Sequence, residues 1–302
     1  MSDSSAATSA RTTHTPDLSA LRRPSGAFAM LAVDQREALR AMMAGQRGRA
    51  VTDEEVTAFK LDAIRALTPH ASAVLLDRQF VLDQALDQKV VAPGCGLIAA
   101  CDRFVPGADE VVTDAVIDDD VDLAHYASRG AAAAKLLVVW RPDEDPLRRT
   151  EMVRDFVSRA RAAKLVSIIE PVSRAPRDGR SWSREEGVVA AARELGDLGA
   201  DLYKAEVPFH GEGDERQIRR ACVELSASIA SPWVVLSSGV EDEVFPRAVE
   251  LAMREGASGF LAGRAVWRAC LEADDRRASL ARDAVARLRR LCEVVDTVAG
   301  ER

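Results

Sequence analysis

The sequence predicts an α/β fold, a single-domain (β/α)8 barrel, and three observations carry that expectation. Short apolar runs alternate with helical periodicity eight times along the chain, which is the pattern of parallel strands joined by helical crossovers. Several of the runs are nearly continuous in Ala, Val, Ile and Leu, as suits strands covered on both faces. Most of them end in a charged or turn-forming residue, and the C-terminal rim of a barrel is where such folds build active sites. A doubly wound open sheet is the competing architecture, but no GxGxxG follows the first strand.

Composition narrows the class. The 302 residues are 47% hydrophobic, enough for a sizeable core, and carry a net charge of −7. Basic residues are interspersed with acids and the isoelectric point is near 5.3, so nucleic-acid binding is not expected. The five cysteines show no CxxC spacing, which suits a reduced, cytoplasmic setting. No apolar run approaches the length of a membrane span and no signal-peptide core is present, so no membrane association is expected.

Taken in order, residues 1–17 are mostly Ser, Thr and Ala with no large apolar side chain; a disordered tail is expected, with the barrel domain occupying 18–302. The first strand begins near Gly26 and ends in Asp34-Gln35-Arg36, followed by a helix from Glu37. Thr52, with Glu55 three residues on, has the spacing of a capping box for a helix through Leu67. Ala71 to Asp77 is the second strand, Val81 to Lys89 a helix, and Gly96 to Cys101 the third strand. Ala133 to Trp140 is the fourth and carries Lys135 near its start, away from the rim. A helix follows Pro146, and Leu165 to Glu170 is the fifth strand, stopped by Pro171. A helix over 184–198 leads to the sixth strand around Lys204, and a helix over 218–229 to the seventh, Trp233 to Ser237. A helix over 244–255 leads to the eighth, Ser258 to Ala262, and 274–298 is a closing amphipathic helix.

The sixth strand holds the residue that most needs explaining. Gly199 and Pro208 bracket it, and strand alternation puts Leu202, Lys204 and Glu206 on one face and Tyr203, Ala205 and Val207 on the other. Burial lowers a lysine's pKa, and a neutral amine can attack a ketone to form a Schiff base; a lysine merely paired with a nearby acid is the plain alternative. Glu170, if it faces inward, is a candidate general acid/base. Ser237-Ser238-Gly239 after strand seven and Gly263-Arg264 after strand eight stand where barrels commonly hold a phosphate. Backbone N–H groups freed by glycine and a bidentate arginine suit that anion. The four histidines are scattered without HxH or HExxH spacing, so no metal site is expected.

Six motifs together carry a resemblance: GAFAMLAVDQREALR from Gly26, KLLVVWRPDED from Lys135, LVSIIEPVSRAPRDG from Leu165, ADLYKAEVP from Ala200, PWVVLSSGV from Pro232 and GASGFLAGRAVW from Gly256. The chain resembles the class I aldolases of the tagatose-bisphosphate aldolase type, and within them the sulfofructosephosphate aldolase branch. The resemblance implies a (β/α)8 fold and Schiff-base chemistry with no metal or other cofactor. It also implies cleavage of 6-deoxy-6-sulfofructose 1-phosphate to dihydroxyacetone phosphate and 3-sulfolactaldehyde in sulfoquinovose degradation. It assigns the Schiff-base lysine to Lys204, the acid/base carboxylate to Glu170, further active-site positions to Asp34 and Lys135, and the phosphate to Ser238, Gly239, Gly263 and Arg264. Gln35, Asp77 and Arg174 lie in loops that resemble the sulfo-sugar branch and are expected to contact substrate. The expected partner is a sugar phosphate bearing a sulfonate or a second phosphate, and a homo-oligomer is expected. Tagatose-1,6-bisphosphate cleavage and a non-catalytic, metabolite-sensing barrel are the alternatives.

Overall fold

Eight runs rich in Ala, Val, Ile and Leu form the strands of a closed parallel barrel in the computed structural model, which describes residues 17–107, 110 and 112–302. They are β1 (Phe28–Val33), β2 (Ala73–Leu76), β3 (Gly96–Ala100), β4 (Ala131–Trp140), β5 (Val166–Ser173), β6 (Leu202–Glu206), β7 (Trp233–Leu236) and β8 (Gly259–Ala262). Each pairs in parallel with its sequence neighbours, and β8 closes on β1 with Phe28 opposite Gly259. The seam requires glycine: Gly259 has φ +141°, and a Cβ there would sit 2.0 Å from the Phe28 carbonyl oxygen.

Two apolar layers follow from strand alternation. Phe28, Met30, Leu75, Ile98, Ile168, Leu202, Val234 and Leu261 fill the barrel interior, with Leu21 from the 3-10 turn Ser19–Leu21 packed among them. Leu31, Val74, Leu136, Ile169, Tyr203, Ala205 and Phe260 face outward and pack with the surrounding helices. The expected capping box starts the helix Asp53–Leu67: Thr52 Oγ1 accepts from the Glu55 N–H and Glu55 Oε2 from the Thr52 N–H. The closing helical segment runs from Arg276 to Gly300 through a π-helical stretch at Leu280–Ala284. No described helix is long and apolar enough to cross a membrane. The expected disordered tail lies, except for Asp17, outside the described residues.

Two features depart from expectation. β5 does not stop at Glu170 but continues through Pro171 to Ser173, paired with β4 throughout. Pro171 has no N–H to give, yet the ladder to β6 ends at Ile169 opposite Tyr203, so no bond is lost. After β3 the chain forms an unforeseen antiparallel hairpin, Asp102–Val105 with Asp114–Ile117, followed by a short helix Leu123–Ser128 capped by Asp122. The hairpin stands beside the C-terminal ends of the barrel strands and forms part of the wall of the site.

Candidate active site

Every second strand residue points into the barrel, and the inward series changes character at one level. Met30 and Ala32 on β1, Ile98 and Ala100 on β3, Ala133 on β4, Val166 and Ile168 on β5 and Leu202 on β6 are all interior and apolar. The next members of these series are Asp34, Asp102, Lys135, Glu170 and Lys204. All five are buried, as is Arg36. An apolar floor thus gives way to a layer of charge.

The layer is densely paired. Lys204 Nζ lies 2.8 Å from Glu170 Oε1. Lys135 Nζ lies 2.9 Å from each of three carboxylate oxygens: Asp34 Oδ2, Asp102 Oδ2 and Glu170 Oε2. Of these the Asp102 contact is an aligned hydrogen bond, and Asp102 Oδ2 also accepts from the Leu137 N–H at 2.9 Å. Arg36 donates to the Asp102 carbonyl at 2.7 Å and to its Oδ1 at 2.8 Å. The second Glu170 oxygen accepts no aligned hydrogen bond from the protein, which leaves it able to take or give a proton.

These surroundings fix two protonation states. Burial pushes the Asp34 carboxyl up, but Lys135, Lys204 and Arg36 more than offset it and hold the group well below the usual carboxylate range. Burial pulls the Lys135 ammonium down, and Asp102, Asp34 and Glu170 outweigh that, leaving it well above an ordinary lysine. Lys135 is therefore a fixed cation. Lys204 has Glu170 as its one ion-pair partner among the described residues.

Above the charged layer opens a cavity of about 860 Å³, walled by Asp34, Gln35, Glu170, Arg174, Ser238 and Arg264 among others. Arg36, Arg78, Arg103 and Phe104 line it as well, the last two from the hairpin. Gly239 and Gly263 do not line the cavity themselves but shape the loops that do. Gly239 has φ +91°, and a Cβ on Gly263 would meet the Ala32 carbonyl oxygen at 2.3 Å.

Two sequence expectations require correction. Lys135 is not near the start of its strand and away from the rim. β4 begins at Ala131, and strand stagger pairs Lys135 with Ala100, the last residue of β3, so it reaches the charged layer. Asp77 does not meet the cavity. It is fully buried and ion-paired with Lys60 of the helix Asp53–Leu67, while its Oδ1 accepts from the Phe80 N–H at 2.9 Å. Burial raises that carboxyl and lowers the lysine. Its place is structural.

Asp102 belongs to the charged layer and was not singled out by sequence reasoning. The signal for Asp102 was available, since the inward series Ile98, Ala100 continues to it past the end of β3.

A family model described as DeoC/LacD family aldolase matches residues 28–269. The chain belongs to this family. It is an enzyme, a class I aldolase. It is 28% identical over 277 residues to tagatose 1,6-diphosphate aldolase of Listeria monocytogenes serotype 4a (strain HCC23), covering 83% of this chain and 80% of that one. It is 29% identical over 268 residues to tagatose 1,6-diphosphate aldolase 1 of Enterococcus faecalis (strain ATCC 700802 / V583), covering 80% of each. Among solved structures, an archaeal fructose 1,6-bisphosphate aldolase superposes with a TM-score of 0.61 over 93% of this aldolase and 98% of that chain, at 18% identity. That last likeness speaks to the fold.

Proposed function

We propose that this aldolase cleaves 6-deoxy-6-sulfofructose 1-phosphate to dihydroxyacetone phosphate and 3-sulfolactaldehyde through a Schiff base on Lys204. The observation that carries the chemistry is the Lys204–Glu170 contact of 2.8 Å, with Lys135 at 2.9 Å from the other Glu170 oxygen, beneath a cavity walled by arginines. The neutral Lys204 amine adds to the C2 ketone, and the carbinolamine loses water to give an iminium. Removal of the C4 hydroxyl proton breaks the C3–C4 bond, the electron pair moves into the iminium, and the aldehyde leaves. Protonation at C3 and hydrolysis release dihydroxyacetone phosphate and restore the amine. Glu170 is the group that shuttles these protons, Asp34 orients hydroxyls, and Lys135 helps hold Asp34 ionised and keeps both carboxylates in place.

Charge accounting favours a substrate with unequal ends. Beside the β5, β7 and β8 loops, Arg174 and Arg264 make no ion pair among the described residues, which suits a phosphate monoester close to doubly charged at neutral pH. On the β1 to β3 side, Arg36 is committed to Asp102, and Arg78 lies 3.3 Å from both Asp118 and Asp120. Arg103 and the neutral amide of Gln35 remain, which suits a singly charged sulfonate with three acceptor oxygens. The relatives at 28–29% identity, both tagatose 1,6-diphosphate aldolases, favour a second reading, tagatose 1,6-bisphosphate. Comparing kcat/KM for the sulfonate, tagatose 1,6-bisphosphate and fructose 1,6-bisphosphate on one preparation decides between them. A tenfold preference for the sulfonate, about 1.4 kcal/mol of differential transition-state binding, is expected. Equal or better cleavage of tagatose 1,6-bisphosphate assigns the enzyme to that substrate.

A further inference from the structure

Glu206 ends β6, two residues beyond Lys204 on the same face, and is buried. Its carboxylate joins three separate segments at the rim. Oε1 accepts from the Ser238 hydroxyl at 3.0 Å, in the loop after β7, and Oε2 accepts from the Ser173 N–H at 2.7 Å, at the end of β5. Arg184, the first residue of the helix Arg184–Leu195, sits 3.3 Å from Oε1 and also donates to the Val207 carbonyl at 3.3 Å. The charge is therefore compensated without any contribution from the cavity.

Ser238 has φ +33° and Gly239 φ +91°. A residue with a Cβ holds such a backbone conformation only where its surroundings over-determine it, and the bond to Glu206 is the side-chain restraint on Ser238. That bond also consumes the one proton of the serine hydroxyl. Facing an anion, Ser238 Oγ then has only lone pairs to offer, so the loop must grip through backbone N–H groups whose direction the left-handed turn sets.

We propose that Glu206 is a positioning residue for specificity: by latching Ser238 it holds the β7 loop in its anion-gripping conformation, and so sets the preference for a phosphorylated ketone. The proposal rests on the phosphate lying against Ser238, Gly239 and Arg264. A hydrogen bond to a buried charged group corresponds to about 10- to 100-fold in an equilibrium constant, and that is the size of effect expected.

The test is the rate of borohydride trapping at Lys204 with dihydroxyacetone phosphate and, separately, with dihydroxyacetone, alongside competition by inorganic phosphate. Glu206→Ala should cut the preference for the phosphorylated ketone about 10- to 100-fold and weaken inorganic phosphate to match, with the loss falling on KM more than on kcat. Glu206→Gln, which keeps an acceptor for Ser238, should recover part of it and serves if the alanine variant does not fold. Ser238→Ala added to Glu206→Ala should cost little more, since both remove one latch. Equal loss of trapping with both ketones, or additive losses in the double variant, overturns the proposal. Arg264→Ala guards the premise: if that change leaves the preference for phosphate intact, the assignment of the phosphate site has failed rather than the latch.

Discussion

Replacing Lys135 by methionine keeps the length of the side chain and removes its charge. The ammonium lies 2.9 Å from Asp34, Asp102 and Glu170, in a fully buried position. At an effective dielectric constant of about 20, each contact is worth about 6 kcal/mol of Coulomb energy before desolvation. Desolvation cancels much of that, and removing one partner from a buried ion pair costs about 3–5 kcal/mol. For a chain of this size such a loss lowers Tm by on the order of 10 °C.

The pH dependence of the loss tests its cause. Lys135 is raised above its ordinary 10.5, so its contribution is complete below that pH and is lost only as pH rises through the higher folded value. Asp34 is depressed below its ordinary 3.8, so its contribution is complete above that pH and is lost as pH falls through the lower folded value. The gap between wild type and Lys135→Met should be level from about pH 5 to 10 and narrow below about pH 4. Urea midpoints and calorimetric Tm at pH 7, 5 and 3 measure it. A Tm within about 2 °C of wild type, or a gap as wide at pH 3 as at pH 7, refutes the reasoning.

Lys204→Ala should abolish turnover, and borohydride reduction with a ketose phosphate should add the adduct mass at Lys204 in the wild type; an adduct at another lysine reassigns the nucleophile. Glu170→Gln should lower kcat by about 10²- to 10⁴-fold while leaving inhibition by inorganic phosphate nearly unchanged; an unchanged kcat makes Glu170 structural. Exhaustive dialysis against EDTA should leave kcat unaltered, because the iminium serves as electron sink. Loss of activity that zinc restores contradicts Schiff-base catalysis.

What was legible in the sequence was local. The bracket of Gly199 and Pro208 and the alternation between them placed Leu202 in the interior cluster and Tyr203 and Ala205 in the outer one, as found. Thr52 and Glu55 announced their helix because a capping box is written within four residues. What was not legible depends on partners distant in the chain. The depth of Lys135 is set by its stagger against β3, and nothing near residue 135 encodes that register. Asp77 ends its strand as a site residue would, yet Lys60, 17 residues earlier on a helix, claims it. Lys60 itself lies among the buried Val56, Phe59, Ala63 and Ile64, so a lysine on an apolar helical face was the available clue. Pro171 looked like a stop because the sequence does not say that the neighbouring ladder has already ended.

The charge balance of the layer bears on how Lys204 becomes a nucleophile under the proposed chemistry. Asp34, Asp102 and Glu170 face Lys135, Lys204 and Arg36, so the buried layer is neutral as a whole. An attacking amine must first lose a proton, and most neighbours cannot accept it. Asp102 is saturated by Arg36, Lys135 and the Leu137 N–H, Lys135 is already protonated, and Asp34 is held ionised by the cations around it. Glu170 remains, 2.8 Å from the amine and with its second oxygen unclaimed by any aligned hydrogen bond. Transfer from Lys204 to Glu170 removes one charge of each sign, so the layer stays neutral and no isolated charge is left buried, which would cost far more than the transfer itself. The proton then sits where the carbinolamine hydroxyl must be protonated to leave as water. A single proton, confined to this pair by the fixed charge of Lys135, thus serves both activation of the amine and dehydration.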